Sequence, residues 1–124
     1  MILLNDFFKI LSVEKSGGRH NIAIELNPLH KIFNGHFPGQ PVVPGVCMVQ
    51  MLKEILEHLF GKPFAMKQAS QLKFLSILDP NKVRNLDVEI SVLKEDADDL
   101  KISGTFQKGE LIFLKYKGNF VSQL

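Results

Sequence analysis

Residues 35–46 contain three glycines and three prolines in twelve positions, and this loop constrains the fold more than any other part of the chain. Proline removes an N–H donor and fixes its own backbone angle, so the stretch can be neither a helix interior nor a central strand. The apolar run that begins at Val46 predicts a helix whose N-terminus lies where the loop ends. His36 lies in the same loop. A general base, backbone N–H groups and the positive end of a helix dipole are thus expected close together, which suits chemistry on a carbonyl.

The predicted helix runs over residues 46–60, where apolar side chains recur at intervals of three and four positions. Gly61 and Pro63 are expected to end it. Met48 and Met51 widen the apolar surface beyond a narrow stripe. We therefore expect the helix to be surrounded on most sides.

Strand patterns flank this helix. Two strands before it are expected to form a hairpin around Ser16-Gly17-Gly18, and residues 28–33 predict a short helical turn. The predicted strands cover residues 7–14, 20–26, 64–78, 86–93, 100–106 and 111–121. One helix among six antiparallel strands predicts a single α+β domain over residues 1–124, with the sheet curled around the helix. The open edges of such a sheet predict a homodimer or a higher oligomer of dimers.

Composition argues against several classes of function. A net charge of +2 without a run of lysine or arginine does not indicate nucleic-acid binding. Cys47 is the only cysteine, and the four histidines lack metal-ligand spacing, so neither a metal nor another cofactor is expected. The apolar N-terminal run is too short for a signal peptide, and no run is long enough to span a membrane. We expect a cytoplasmic protein.

The string from His36 to Val46 resembles the hallmark loop of the hot-dog-fold 3-hydroxyacyl-[acyl-carrier-protein] dehydratases. All the fixed positions of the pattern His-Phe-Pro-Gly-x-Pro-Val-x-Pro-Gly-Val are present. Phe33 and Gly35 match the residues before the string, and Lys73-Phe74 looks like the strand motif after the helix. The resemblance implies a hot-dog fold, a dimer with two active sites at its interface, and dehydration of a 3-hydroxyacyl thioester on acyl carrier protein.

The resemblance also implies roles for individual residues. His36 would remove the C2 proton, and the N–H of Gly45 would bind the thioester carbonyl. The family's partner-subunit carboxylate falls at Gln50, and its glutamine falls at Glu54, so the acid and the amide are exchanged. A glutamine cannot protonate a leaving hydroxyl. Glu54 lies about 6 Å further along the helix axis and could reach the leaving group through Gln50 or a water. Gln50 itself could be either a substrate contact or the remnant of a lost acid.

Other residues have weaker assignments. Phe33, Phe37, Val46 and Phe74 are candidates for binding the acyl chain, although aromatic residues in such positions are also common in cores. Glu54 could instead belong to a solvated helix face shared with Glu57. Cys47 is expected to be a small core residue. His20, His30 and His58 are expected on polar faces without a functional role.

Three functions are consistent with these patterns. The first is a dehydratase in fatty-acid or related lipid or polyene synthesis. The second is a catalytically weak subunit that binds acyl thioesters or pairs with an active relative, because Gln50 replaces the acid. The third is a hot-dog thioesterase that uses Glu54, although the complete dehydratase-type loop argues against it.

Overall fold

The computed structural model describes residues 2–35 and 39–124. His36 and Phe37, two of the predicted site residues, lie outside the described residues. The elements are β1 (Phe8–Ser16), β2 (Arg19–Leu26), a 3₁₀ turn (Lys31–Asn34), α1 (Gly45–Phe60), β3 (Phe64–Phe74), β4 (Asn85–Glu95), β5 (Asp99–Lys108) and β6 (Leu111–Ser122).

The strands form one antiparallel sheet in the order β1-β2-β4-β5-β6-β3. Inward positions alternate with outward ones, as the buried Leu100, Ile102 and Phe106 of β5 illustrate. The core lies between this inner face and α1. Exposed positions of the sheet include charged pairs such as Arg19–Glu89, with an N–O distance of 3.0 Å. The predicted α+β hot-dog arrangement, a sheet with one long central helix, is confirmed.

Helix α1 confirms the helix prediction almost residue for residue. It starts at Gly45, one position earlier than expected, and Gly61 caps its end with φ of 67° and an N–H that donates to the carbonyl of Glu57. Met48 and Met51 are buried as expected, whereas Val46 is 70% exposed. The helix is therefore covered along its length but open at its first turn.

The strand predicted over residues 64–78 is too long, because β3 ends at Phe74. Beyond it, the N–H of Leu75 still donates to the carbonyl of Phe113, and the carbonyl of Leu78 accepts from Val43. The chain has thus left the sheet to hold the segment that leads into α1. The 3₁₀ turn at Lys31–Asn34 is shorter than the turn predicted over residues 28–33 and begins later. It begins after His30 because the side chain of that residue caps it by accepting a hydrogen bond from the N–H of Ile32.

The structure corrects the expectation that His20 and His30 lie on polar faces, because both are buried. His20 is 7% exposed because it occupies an inward position of β2, where its ring packs 6.1 Å from that of Phe60. His30 is also buried, with its ring 5.2 Å from that of Phe7 and its Nε2 3.0 Å from the carboxylate of Asp6. His58 is exposed, as expected.

Among the described residues, no helix combines the length and the apolar character needed to cross a membrane.

Candidate active site

The first turn of α1 offers backbone N–H donors and the positive end of the helix dipole. Pro44 is the N-cap and has no side chain that could cap the helix, while its carbonyl accepts from the N–H groups of Cys47 and Met48 at 3.0 and 3.2 Å. The amides of Gly45 and Val46 precede this hydrogen-bond ladder, as the first amides of any helix do. The first turn contains no acidic residue that would neutralise the dipole. The helix start is therefore suited to binding a carbonyl oxygen on which negative charge develops.

The ring of Phe74 lies directly against the backbone of Gly45. A Cβ at residue 45 would come within 2.8 Å of two ring carbons of Phe74. Any side chain here would displace the ring, so glycine is required by close approach. The last residue of β3 is thereby placed beside the first amides of α1. The sequence-based prediction named both residues but not their contact.

The surface around this contact is apolar. Phe74 and Leu75 are each 50% exposed, and Ile77 is 74% exposed. These side chains, and the exposed Val46 in the first turn of α1, can pack against a hydrocarbon chain or a second protein surface. Phe74 lies against Gly45, the residue before Val46, so both predicted residues are near the helix start, and their role in acyl binding stays a prediction.

Phe33 lies elsewhere. It is 6% exposed, and its ring stacks on Phe7 at a centroid distance of 5.3 Å. This packing is that of a core residue that supports the turn before the loop. Its role in acyl binding remains a prediction, as does that of Phe37.

Gln50 and Glu54 form a hydrogen-bonded pair along one face of α1. The Gln50 Nε2 donates to Glu54 Oε2 at 2.8 Å, as the spacing of four residues allows. Glu54 is 6% exposed, so the alternative that places it on a solvated face is wrong.

The burial of Glu54 has a cause that sequence reasoning missed. The N–H of Leu3 donates to both carboxylate oxygens, at 3.0 and 2.9 Å, and that of Leu4 donates to Oε1 at 2.6 Å. These backbone donors lie 50 and 51 positions away in the chain. Nothing in their side chains signals such a contact, because only their backbone N–H groups are involved.

A cleft of about 340 Å³ opens beside this pair. Its lining comes from the N-terminal segment and α1, and comprises Ile2, Leu4, Gln50, Lys53, Glu54, Glu57 and His58. The cleft places the Gln50–Glu54 pair within reach of a small polar group. Glu57 has a separate task, since it accepts from the N–H of Phe64 at 2.9 Å and from Lys53 at 3.1 Å.

Cys47 is a core residue, as expected. It is 3% exposed, and burial raises the pKa of its thiol. The thiol therefore remains protonated at neutral pH and lacks the thiolate character of a catalytic nucleophile.

The comparison with known proteins agrees with this geometry. The model of the ApeI-like family, described as ApeI dehydratase, matches residues 12–110. The chain belongs to the ApeI-like dehydratase family. The match spans both the loop of His36 and the helix with Gln50 and Glu54. It also bears out the resemblance to the hot-dog dehydratases.

Individual proteins similar to this ApeI-like chain include dehydratases and a hypothetical thioesterase. The 3-hydroxyacyl-[acyl-carrier-protein] dehydratase FabZ of Ligilactobacillus salivarius is 27% identical over 103 residues, which cover 77% of this chain and 71% of the relative. The structure of "The Dehydratase Heterocomplex ApeI:P from Xenorhabdus doucetiae" superposes with a TM-score of 0.69 and 21% identity, covering 90% of this chain and 96% of that one. A hypothetical thioesterase with coenzyme A from Streptococcus pneumoniae has a TM-score of 0.61 and 9% identity, covering 97% of this chain and 91% of that one. At these identities the two structures establish the fold alone.

Proposed function

We propose that this ApeI-like protein interconverts 3-hydroxyacyl and trans-2-enoyl thioesters carried on acyl carrier protein. The observation that carries the proposal is the complete loop pattern from His36 to Val46, which leads into a helix start with donor amides and no acidic residue. A cytoplasmic step of fatty-acid, related lipid or polyene synthesis is the setting that we propose.

In the proposed reaction, His36 removes the proton from C2 of the acyl chain while the N–H of Gly45 binds the thioester carbonyl. The electron pair of the broken C–H bond forms the C2–C3 double bond, and the C3–O bond breaks. The departing hydroxide takes a proton and leaves as water. Because Gln50 cannot supply that proton, the imidazolium of His36 is the donor in this scheme, and Gln50 only holds the hydroxyl.

A homodimer is part of the same proposal. Strand β3 is an edge of the sheet, and the exposed Phe74, Leu75 and Ile77 lie at its end. Pairing of two β3 edges would bury these side chains and protect the unpaired backbone groups. The expected test is sedimentation of Ile77→Lys, which should shift the protein toward monomer, whereas Leu124→Lys at the exposed C-terminal end should not.

A second candidate, an acyl-thioester-binding or partner subunit, is favoured by one observation. Glu54 is the acid nearest to Gln50 on α1. Its carboxylate accepts hydrogen bonds from two backbone N–H groups and is therefore not available to transfer a proton. In this case the loop would shape the binding site without supporting turnover.

One assay separates the candidates. Purified protein is mixed with 3-hydroxyacyl and trans-2-enoyl thioesters on acyl carrier protein and on coenzyme A, and both the enoyl product and free thiol are measured. A dehydratase interconverts the two thioesters without releasing thiol. Thiol release without enoyl formation would instead identify a thioesterase, and binding without turnover would identify the acyl-binding subunit.

A further inference from the structure

Glu54 connects the N-terminal segment to α1, and the proposed mechanism gives this connection no role. Its carboxylate is buried between the N-terminal segment and α1, where the amides of Leu3 and Leu4 and the side chain of Gln50 all donate to it. Both oxygens therefore accept hydrogen bonds from N–H groups. A carboxylate held in this way cannot turn toward a substrate without leaving buried backbone donors unpaired.

The pair also fixes the orientation of the Gln50 amide. A carboxylate only accepts hydrogen bonds, so the Gln50 NH₂ must face Glu54. Rotation of the amide by 180° would bring its carbonyl oxygen against Glu54 Oε2, and the two oxygens would repel each other. The carbonyl Oε1 of Gln50 is consequently directed away from Glu54.

We propose that Glu54 is a positioning residue that orients Gln50 so that its carbonyl accepts a hydrogen bond from the 3-hydroxyl of the substrate. The inference rests on the proposed dehydratase function and specifies how the exchanged pair works in it. Gln50 binds the hydroxyl as an acceptor, and Glu54 keeps it in that orientation. The same carboxylate ties Leu3 and Leu4 to the helix, so the wall of the cleft and the orientation of Gln50 depend on one side chain.

The experiment compares four variants in the full chain. Glu54→Gln keeps the shape but removes the charge, and Glu54→Asp keeps the charge on a shorter side chain. Glu57→Gln is the matched control, because Glu57 also lies on α1 and accepts a backbone N–H, that of Phe64. The double variant Gln50→Glu/Glu54→Gln restores the hydrogen bond with donor and acceptor exchanged.

Two measurements are made on each variant, namely amide hydrogen exchange at Leu3, Leu4 and Phe64, and kcat and KM for a 3-hydroxyacyl thioester. Glu54→Gln should speed exchange at Leu3 and Leu4 by about tenfold or more. It should also lower kcat by about tenfold or more, while KM changes by about twofold or less. Glu54→Asp should recover part of both effects. Glu57→Gln should speed exchange only at Phe64, and it should lower kcat less than Glu54→Gln does.

The double variant separates the two tasks of Glu54. Amide exchange at Leu3 and Leu4 should remain fast, because the carboxylate is no longer at position 54. The kcat should be at least equal to that of the native protein, because residues 50 and 54 again form an oriented hydrogen-bonded pair. An unchanged kcat in Glu54→Gln with fast exchange would overturn the positioning role. Unchanged exchange at Leu3 and Leu4 would overturn the tie to the N-terminal segment. If the native protein lacks dehydration activity, the proposed function fails and the positioning role fails with it, whereas the exchange data still decide the structural tie.

Discussion

Phe74 lies so close to the backbone of Gly45 that no side chain larger than hydrogen fits between them. A Cβ on residue 45 would lie 2.8 Å from both Cε1 and Cζ of the ring. This contact joins the end of the edge strand β3 to the amides at the start of α1. The geometry of the candidate carbonyl site therefore depends on one glycine and one half-exposed phenylalanine.

Gly45→Ala should consequently impair turnover more than folding. The added methyl group forces the Phe74 ring away from the helix start and disturbs the carbonyl site. Because the ring is half exposed and can move, and because alanine suits a helix, the free energy of unfolding should change by no more than about 1 kcal/mol. We expect kcat/KM to fall by about tenfold or more, measured with a 3-hydroxyacyl thioester.

Gly18→Ala is the control for this variant. Gly18 lies in the turn between β1 and β2, and among the described residues a Cβ there would meet the carbonyl oxygen of Val92 in β4, at 3.4 Å. It should leave kcat/KM unchanged. Equal activity of Gly45→Ala and the native protein would show that the helix start does not bind the reacting carbonyl.

Gln50→Glu tests whether the site lacks only an acid. The new side chain lies four residues from Glu54 on the same helix face, and a carboxyl group, unlike an amide, can carry a proton and deliver it. That proton is available to the leaving hydroxyl. We expect kcat for dehydration to rise by about tenfold or more, measured by enoyl formation.

Gln50→Leu is the paired variant, since leucine can neither donate nor accept a hydrogen bond. Its kcat should fall below that of the native protein. If both variants and the native protein bind acyl thioesters equally and none forms enoyl product, the chain is an acyl-binding subunit and the dehydratase proposal is wrong.

His20 should make stability depend on pH. Burial first, and the positive charge of Lys15 second, lower the pKa of its ring below the usual 6.5, and its Nδ1 has no hydrogen-bond partner among the described residues. The unfolded chain thus binds a proton at a higher pH than the folded one. The contribution of neutral His20 to the free energy of unfolding is fully present above pH 6.5, and it is lost as the pH falls through and below that value.

Urea unfolding of His20→Leu should therefore show a smaller loss of stability below pH 6.5 than the native protein. His58→Gln, at an exposed histidine in the last turn of α1, should retain the native pH dependence in this range. If His20→Leu retained it as well, the dependence would arise from other groups.

Local sequence signals predicted the elements well but not the contacts between distant backbone groups. The spacing of apolar residues and Gly61 predicted α1, because helix periodicity and a left-handed C-cap are local properties. The end of β3 at Phe74 was missed; beyond it, the carbonyl of Leu78 accepts from the N–H of Val43 in the segment before α1, a contact that no local pattern encodes. At the site, the exchanged pair was visible as Gln50 and Glu54, but the amides that bury Glu54 were not.

Substitution of His36 tests the central claim most directly. If this histidine is the base that removes the C2 proton, His36→Ala should lower the rate of interconversion between 3-hydroxyacyl and trans-2-enoyl thioesters by at least about a hundredfold, with an unchanged thermal unfolding midpoint. Turnover by His36→Ala at the native rate would contradict the account, because the loop would then lack a catalytic role.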